Sequence, residues 1–80
     1  MRVRSLFFAS YRDLVGAAEL DLELPAGSTV SELIQLVRTR PGAQALPESP
    51  AVAVNQAYAS ADTVLQDGDE VAFIPPVAGG

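Results

Sequence analysis

Hydrophobic and polar residues alternate most regularly between Glu19 and Leu24, where three leucines are separated by acidic residues. This period of two predicts a strand with one buried face and one face in water. We therefore interpret the three carboxylates as a solvated strand face and not as an acid–base pair. The apolar run at residues 3–8 is nearly continuous, which predicts a buried first strand.

After Thr29 the spacing of apolar residues changes from the period of a strand to that of a helix. Thr29 and Glu32 have the spacing of a capping box, and Arg38 and Arg40 suit the negative end of a helix dipole. Pro41 is expected to close this helix. Its apolar positions follow the helical spacing i, i+3, i+4 and i+7: Val30, Leu33, Ile34 and Val37.

The remaining segments are short. Ser10 is predicted to cap a helical turn over residues 11–15, and Gly16 is expected to end it. Residues 41–50, rich in Pro, Gly, Ala and Gln, show no ligand-binding pattern and predict a tolerant surface connection. A short strand at 51–54 precedes a tight turn at Asn55-Gln56, and the return segment is predicted at 58–63.

An Asp-Gly turn at Asp67 introduces the last predicted strand, residues 70–74, and Pro75-Pro76 forbids that strand from continuing. The order of elements predicts an α+β domain of the β-grasp type, with a mixed sheet of four to five strands crossed by one main helix. We place this domain at residues 1–75 and predict a flexible C-terminal tail at residues 76–80.

The tail begins with prolines, which favour a stiff, extended rod. Five residues at full extension span roughly 16–18 Å, so the chain end is expected to reach away from the domain. Val77 and Ala78 precede Gly79 and Gly80. The glycines lack Cβ atoms, so the backbone can pass through a channel too narrow for other residues. We therefore predict that function is concentrated at the terminal carboxylate.

Composition and charge limit the partners, the location and the metal sites that can be expected. The 80 residues carry a net charge of −5 with no basic stripe, so nucleic acid is a poor candidate partner. No apolar run approaches the length of a membrane span and no signal-peptide pattern is present, which favours the cytoplasm. Asp67, Asp69 and Glu70 lack the other ligands of a calcium loop, so we predict no metal site.

Cys, His and Lys are all absent from the chain. The absence of Cys excludes a disulfide, a thiolate nucleophile and a thiolate metal site. The absence of His removes the commonest general base. The absence of Lys leaves no side-chain amine at which copies of the chain could be joined by isopeptide bonds. Catalysis by this chain's own side chains would have to depend on carboxylates.

Four segments together resemble the family of molybdopterin synthase small subunits, which are ubiquitin-like sulfur carriers: residues 6–9 (LFFA), 12–16 (RDLVG), 53–56 (AVNQ) and 67–80 (DGDEVAFIPPVAGG). The resemblance covers essentially the whole chain and matches no motif in residues 41–50. It implies that the chain donates sulfur without being catalytic itself, while the large subunit supplies the chemistry.

The resemblance also implies partners and a reaction cycle. An adenylating enzyme related to ubiquitin activators would use ATP to activate the carboxylate of Gly80, and a persulfide donor would convert it to a thiocarboxylate. The large synthase subunit, in a heterotetramer, would then take the tail into its active site and pass the sulfur to a pyranopterin precursor. No cofactor is expected to be bound by this chain itself.

The resemblance assigns roles along the tail. Gly80 would carry the sulfur, Gly79 would let the carboxylate enter the partner, and Pro75, Pro76, Val77 and Ala78 would form the stiff lead. Docking outside the tail is less defined. Phe7 and Phe73 are assigned first to the core and only second to a docking face, and Arg12 is expected to pair with an acidic residue of the activating enzyme.

Three alternatives remain open from the sequence. A sulfur carrier for thiamin or another thiolated metabolite would use the same tail. A ubiquitin-like protein modifier would use the tail to form an isopeptide bond with a target lysine. A plain interaction module would make no chemical use of the two glycines.

Overall fold

A computed structural model describes residues 1–76 of the chain. These residues form one mixed sheet with the main helix packed against one of its faces. The elements in chain order are β1 (Arg2–Phe7), α1 (Ala9–Val15), β2 (Glu19–Glu23), α2 (Val30–Arg38), a 3₁₀ helix (Ala43–Ala45), β3 (Ala51–Val54), β4 (Ala57–Ala59) and β5 (Glu70–Ile74).

The order of strands across the sheet is β2-β1-β5-β3-β4. β1 and β5 are parallel, and the other neighbouring pairs are antiparallel. β5 is thus the last strand in sequence and the central strand in space. The predicted β-grasp fold is confirmed, with five strands and one main helix.

Alternation along the strands builds the core. Val3 and Phe7 of β1 are buried with Val71 and Phe73 of β5, and the apolar stripe of α2 packs against them. The rings of Phe7 and Phe73 lie 4.9 Å apart between centroids, a separation at which aromatic pairs attract one another. One continuous apolar layer between sheet and helix therefore holds the domain together.

The capping box predicted at the start of α2 is present. The amide of Glu32 donates to the Thr29 hydroxyl at 3.3 Å, and the Thr29 amide donates to Oε1 of Glu32 at 3.4 Å. These bonds satisfy two amides that have no partner within the helix. α2 ends at Arg38, with Thr39 as its C-cap, so Arg40 lies beyond the helix in which the sequence placed it.

The start of α1 differs from the prediction. Ser10 does not cap the helix, because the N-cap is Phe8 and no side chain caps the helix there. The carbonyl of Phe8 instead accepts hydrogen bonds from the amides of Tyr11 and Arg12, at 3.0 and 3.4 Å. Ser10 falls inside the first turn, so the capping signal was misplaced by two residues.

The prediction that residues 41–50 form a tolerant surface connection is wrong. Ala43 and Leu46 are buried in the core, between α1 and α2. Gly42 has a φ of 87°, and a Cβ there would lie 2.9 Å from the carbonyl oxygen of Leu14. Both the conformation and the close backbone contact require glycine, so this segment is fixed to the domain.

The first strand is buried on one face only. Val3, Ser5 and Phe7 point into the core, whereas Leu6 is half-buried and Phe8 is 50% exposed. The predicted buried strand is thus buried on one face, because α2 covers just one side of the sheet. Among residues 1–76, no helix has the length and apolarity needed to cross a membrane.

Candidate functional site

The position of β5 determines where the chain end leaves the domain. β5 lies between β1 and β3, so the chain runs out from the middle of the sheet and not from an edge. Pro75 is half-buried and Pro76 is exposed. Residues 77–80, which include the predicted sulfur-carrying Gly80 and its neighbour Gly79, lie outside the described residues, so their roles stay predictions.

A groove of about 350 Å³ lies beside the point where the chain leaves the sheet. One side is formed by the chain end itself and the other by the segment that leads into β3. The residues that line it are Tyr11, Pro47, Ser49, Pro50, Ala51, Tyr58, Ile74, Pro75 and Pro76. The sequence analysis missed this contribution of residues 47–50, because nothing in their composition indicates which part of the fold they border.

Tyr11 forms a buried wall of this groove. Burial raises the pKa of its phenol above the usual value, since the charged form would lose its hydration. The ring is therefore neutral at physiological pH and serves as an apolar surface with one polar tip.

The face of the sheet opposite α2 carries an apolar patch. Strand register places Leu6, Ala72, Ala53 and Tyr58 in one row across the sheet. Ile74 lies in the next row, opposite Ala51. Two of the large side chains are well exposed, Phe8 at 50% and Tyr58 at 80%. We call the set Leu6, Phe8, Tyr58, Ala72 and Ile74 the open-face patch.

Charged residues surround one end of this patch. On the same face, Arg4 pairs with Glu19 at 2.6 Å and Arg2 pairs with Glu23 at 3.2 Å. The hydrogen bond that the Arg4 guanidinium donates to Glu19, and then the negative charge of Glu19, raise the pKa of that guanidinium. The predicted solvated strand face is thus partly neutralised by arginines. An apolar centre with a polar margin is typical of a protein–protein interface.

The acidic turn before β5 has a structural role. The amide of Arg2 donates to Oδ1 of Asp67 at 2.7 Å. The amides of Asn55 (side chain) and Gln66 (backbone) donate to the two carboxylate oxygens of Asp69, at 2.9 and 2.8 Å. These carboxylates therefore fix the turn and the start of β5. Within the described part of the chain, no three acidic, His or Cys side chains are grouped so as to hold a metal ion.

Two of the docking residues predicted from the sequence, Phe7 and Phe73, lie in the core and not on the surface. Phe7 is 2% exposed and Phe73 is fully buried, so neither can contact a partner, and the first assignment of both to the core is the one the structure supports. Their sequence neighbours Phe8 and Ile74 lie on the open face instead. Alternate residues of β1 and β5 lie on opposite faces of the sheet, so the sequence separated the two sets. It did not tell which set α2 covers.

Arg12 lies on the exposed side of α1. Within residues 1–76 it forms no ion pair, in contrast to Arg2 and Arg4. Its expected pairing with a carboxylate of the activating enzyme stays a prediction.

Comparisons with known proteins show the family to which the chain belongs. A family model described as the ThiS family matches residues 5–80. The chain belongs to the ThiS family. The match includes the second half of β1, both α-helices and the Gly-Gly end, so the resemblance predicted from the sequence motifs is confirmed.

Among ThiS-family relatives, the molybdopterin synthase sulfur carrier subunit of Escherichia coli (strain K12) is 43% identical over 83 residues, covering 98% of this chain and 99% of the relative. A putative molybdopterin converting factor subunit 1 from Pyrococcus furiosus has a similar structure, with a TM-score of 0.83 and 35% identity. The similarity covers 96% of this chain and 99% of that one.

Two further structures add context. The complex of subunits 1 and 2 of molybdopterin-converting factor from Helicobacter pylori contains a chain similar to this one, with a TM-score of 0.75 and 25% identity over the whole of both chains. Small archaeal modifier protein 1 from Haloferax volcanii has a TM-score of 0.83 at 20% identity, over 95% of this chain and 98% of that one. The latter likeness shows a shared fold only.

Proposed function

We propose that this protein is a sulfur carrier in molybdopterin synthesis that donates sulfur from a thiocarboxylate at Gly80. The observation that carries the proposal is the exit of the chain from the central strand β5, directly beside the open-face patch, in a sequence that continues with the Gly79-Gly80 motif. The full-length similarity to sulfur carrier subunits, at 43% identity for the Escherichia coli relative, supports the same function.

The proposed chemistry begins by activating the terminal carboxylate, which has no good leaving group of its own. A free carboxylate is a poor acyl donor, since its oxygen is a poor leaving group. Attack of the Gly80 carboxylate on the α-phosphate of ATP, in a separate activating enzyme, gives an acyl adenylate and releases pyrophosphate. The outer sulfur of a persulfide donor then attacks the carbonyl carbon and expels AMP, which gives an acyl disulfide. A second thiol of the donor or of the activating enzyme cleaves this S–S bond, so the thiocarboxylate is released and the two thiols end as a disulfide. A chain without Cys has no thiol of its own to intercept either step.

The open-face patch is the surface on which we place the large synthase subunit. The similar chain in Helicobacter pylori is part of a complex of subunits 1 and 2, which supports a partner of this kind. Ile74 of the patch is followed immediately by Pro75, so a partner bound there lies next to the start of the tail. Binding energy at the patch would then hold the terminal glycines in the partner's active site.

The deciding experiment is intact mass spectrometry of the chain after incubation with the activating enzyme, ATP and a persulfide donor. We expect the mass change of one oxygen replaced by sulfur, located at Gly80 by fragmentation. The control is a chain that lacks Gly80 and ends at Gly79, which should fold normally and stay unmodified. Transfer to the pyranopterin precursor is then followed after addition of the large subunit.

Other outcomes of this experiment distinguish the alternatives. A thiolated chain that supplies sulfur only to thiazole synthesis would make it a carrier for thiamin. Conjugates with lysines of other proteins, without a thiolated free chain, would make it a protein modifier. An unmodified Gly80 under all of these conditions would contradict the proposed function as a whole.

A further inference from the structure

The two prolines after β5 face different neighbours. The carbonyl of Asp69 accepts from the amide of Arg4 on β1 at 2.9 Å, and the carbonyl of Glu70 accepts from the amide of Asn55, beside β3, at 2.8 Å. Backbone groups of successive residues in a strand point to opposite sides. Odd-numbered residues of β5 therefore face β1 and even-numbered residues face β3, which directs position 75 toward β1 and position 76 toward β3.

On the β1 side, the series of hydrogen bonds would continue from residue 75 to the carbonyl of Phe8, given the pairing of Phe7 with Phe73. Proline has no amide hydrogen to donate. The carbonyl of Phe8 already accepts from the amides of Tyr11 and Arg12 at the start of α1. Pairing on the β1 side is thus prevented in two ways: Pro75 lacks a donor, and the Phe8 carbonyl is already bonded at the start of α1.

On the β3 side, the pairing of Ala51 with Ile74 places Ser49 opposite residue 76. Ala51 and Ile74 belong to the same series of directly hydrogen-bonded pairs as Asn55 and Glu70, so the amide of residue 76 would donate to the carbonyl of Ser49. Within residues 1–76, neither Glu48 nor Ser49 makes a backbone–backbone hydrogen bond, and both are exposed. Pro76 has no amide hydrogen with which to make this bond.

We propose that Pro75 and Pro76 separate the chain end from two different neighbours, and that Pro76 is the positioning residue that keeps it from pairing with the segment 47–50. The groove between these segments is the space that the missing pairing leaves open. The consequence for sulfur transfer rests on the proposed function, because each residue added to the sheet shortens the chain that can enter a partner's active site.

The Pro76→Val variant restores the amide and favours a strand. We expect the amide of residue 76 to be protected from hydrogen exchange about fivefold or more, the equivalent of one hydrogen bond, with a new nuclear Overhauser contact to Ser49. Pro75→Val is the matched control, and it should gain no contact to Ser49 since its amide faces β1. An unprotected amide in Pro76→Val would overturn the proposal, as would the same Ser49 contact in both variants.

Semisynthetic chains separate the missing donor from the stiffness of the ring. N-methylalanine at position 76 lacks the amide hydrogen but has no ring, whereas alanine restores the hydrogen. We expect sulfur transfer to the large subunit to proceed at nearly the parent rate with N-methylalanine and about fivefold more slowly with alanine. Equal losses in both chains, or none in either, would overturn the role of the donor.

The hydrogen-exchange measurement tests this inference independently of the proposed function, whereas the sulfur-transfer rates depend on it. Hydrogen exchange is measured on the isolated chain and needs no sulfur chemistry. A parent chain that cannot be thiolated contradicts the proposed function and leaves the exchange result standing. An unchanged exchange pattern in Pro76→Val contradicts this inference even when the parent chain is an active carrier.

Discussion

The two faces of β5 have opposite surroundings although their residues alternate within five positions. Val71 and Phe73 are completely buried beneath α2, whereas Ala72 and Ile74 are partly exposed on the open face. The two adjacent phenylalanines of the first apolar run divide in the same way, with Phe7 2% and Phe8 50% exposed. One strand thus contributes side chains both to the buried core and to the exposed open-face patch.

This contrast explains how so small a domain can hold an exposed apolar surface. Helix α2 covers one face and α1 adds a second contact to the core through Tyr11 and Val15. Within residues 1–76, both α-helices contribute to the same core cluster, and no helix covers the opposite face of the sheet. An apolar patch left open in this way is a typical interaction site. Substitutions on the two faces should therefore have separable effects.

The largest effect is expected for Phe73→Ala. Removing a buried ring leaves a cavity against Phe7, so the free energy of unfolding should fall by about 3–5 kcal/mol. Urea denaturation followed by circular dichroism measures this change. Phe8→Ala is the matched control, and its stability should change by no more than about 0.5 kcal/mol. Similar losses in both variants would contradict the division between the faces.

The reverse result is expected for partner binding. Truncation of Phe8 removes an exposed aromatic anchor from the open-face patch, and such residues often dominate interface energies. Phe8→Ala should weaken binding to the large synthase subunit by about tenfold or more, as measured by isothermal titration calorimetry. Val64→Ala is the control, because Val64 is equally exposed, at 52%, but lies outside the patch. Unchanged affinity in Phe8→Ala would place the interface elsewhere.

The smallest effect concerns a polar residue on the buried face. Ser5 is fully buried between Leu20 and Val71, and its hydroxyl has no hydrogen-bond partner among residues 1–76. Burying a hydroxyl without a partner costs free energy. Ser5→Ala should therefore leave stability unchanged or raise it by up to about 1 kcal/mol. A clear loss of stability in thermal unfolding would mean that the hydroxyl makes a bond, for example to water.

The family could be predicted from the sequence, because the motif at residues 67–80 consists of residues adjacent in the chain. The Gly-Gly end gave the predicted position of the chemistry in the same way, and that position stays a prediction. The exposed apolar face could not be predicted from the sequence in the same way. Phe7 and Phe73 were named as its candidates, whereas the exposed residues are their neighbours Phe8 and Ile74. A period of two defines two faces without saying which one is covered.

The sequence by itself determined the elements whose signals are local: the alternating strand β2, the capping box and apolar stripe of α2, the turn before β5 and the prolines that end it. Only the tertiary structure decided which strand is central, which face α2 covers and where residues 41–50 pack. These features depend on contacts between residues far apart in the chain. Gly42 illustrates the difference, because its need for glycine arises partly from the carbonyl of Leu14 on another helix.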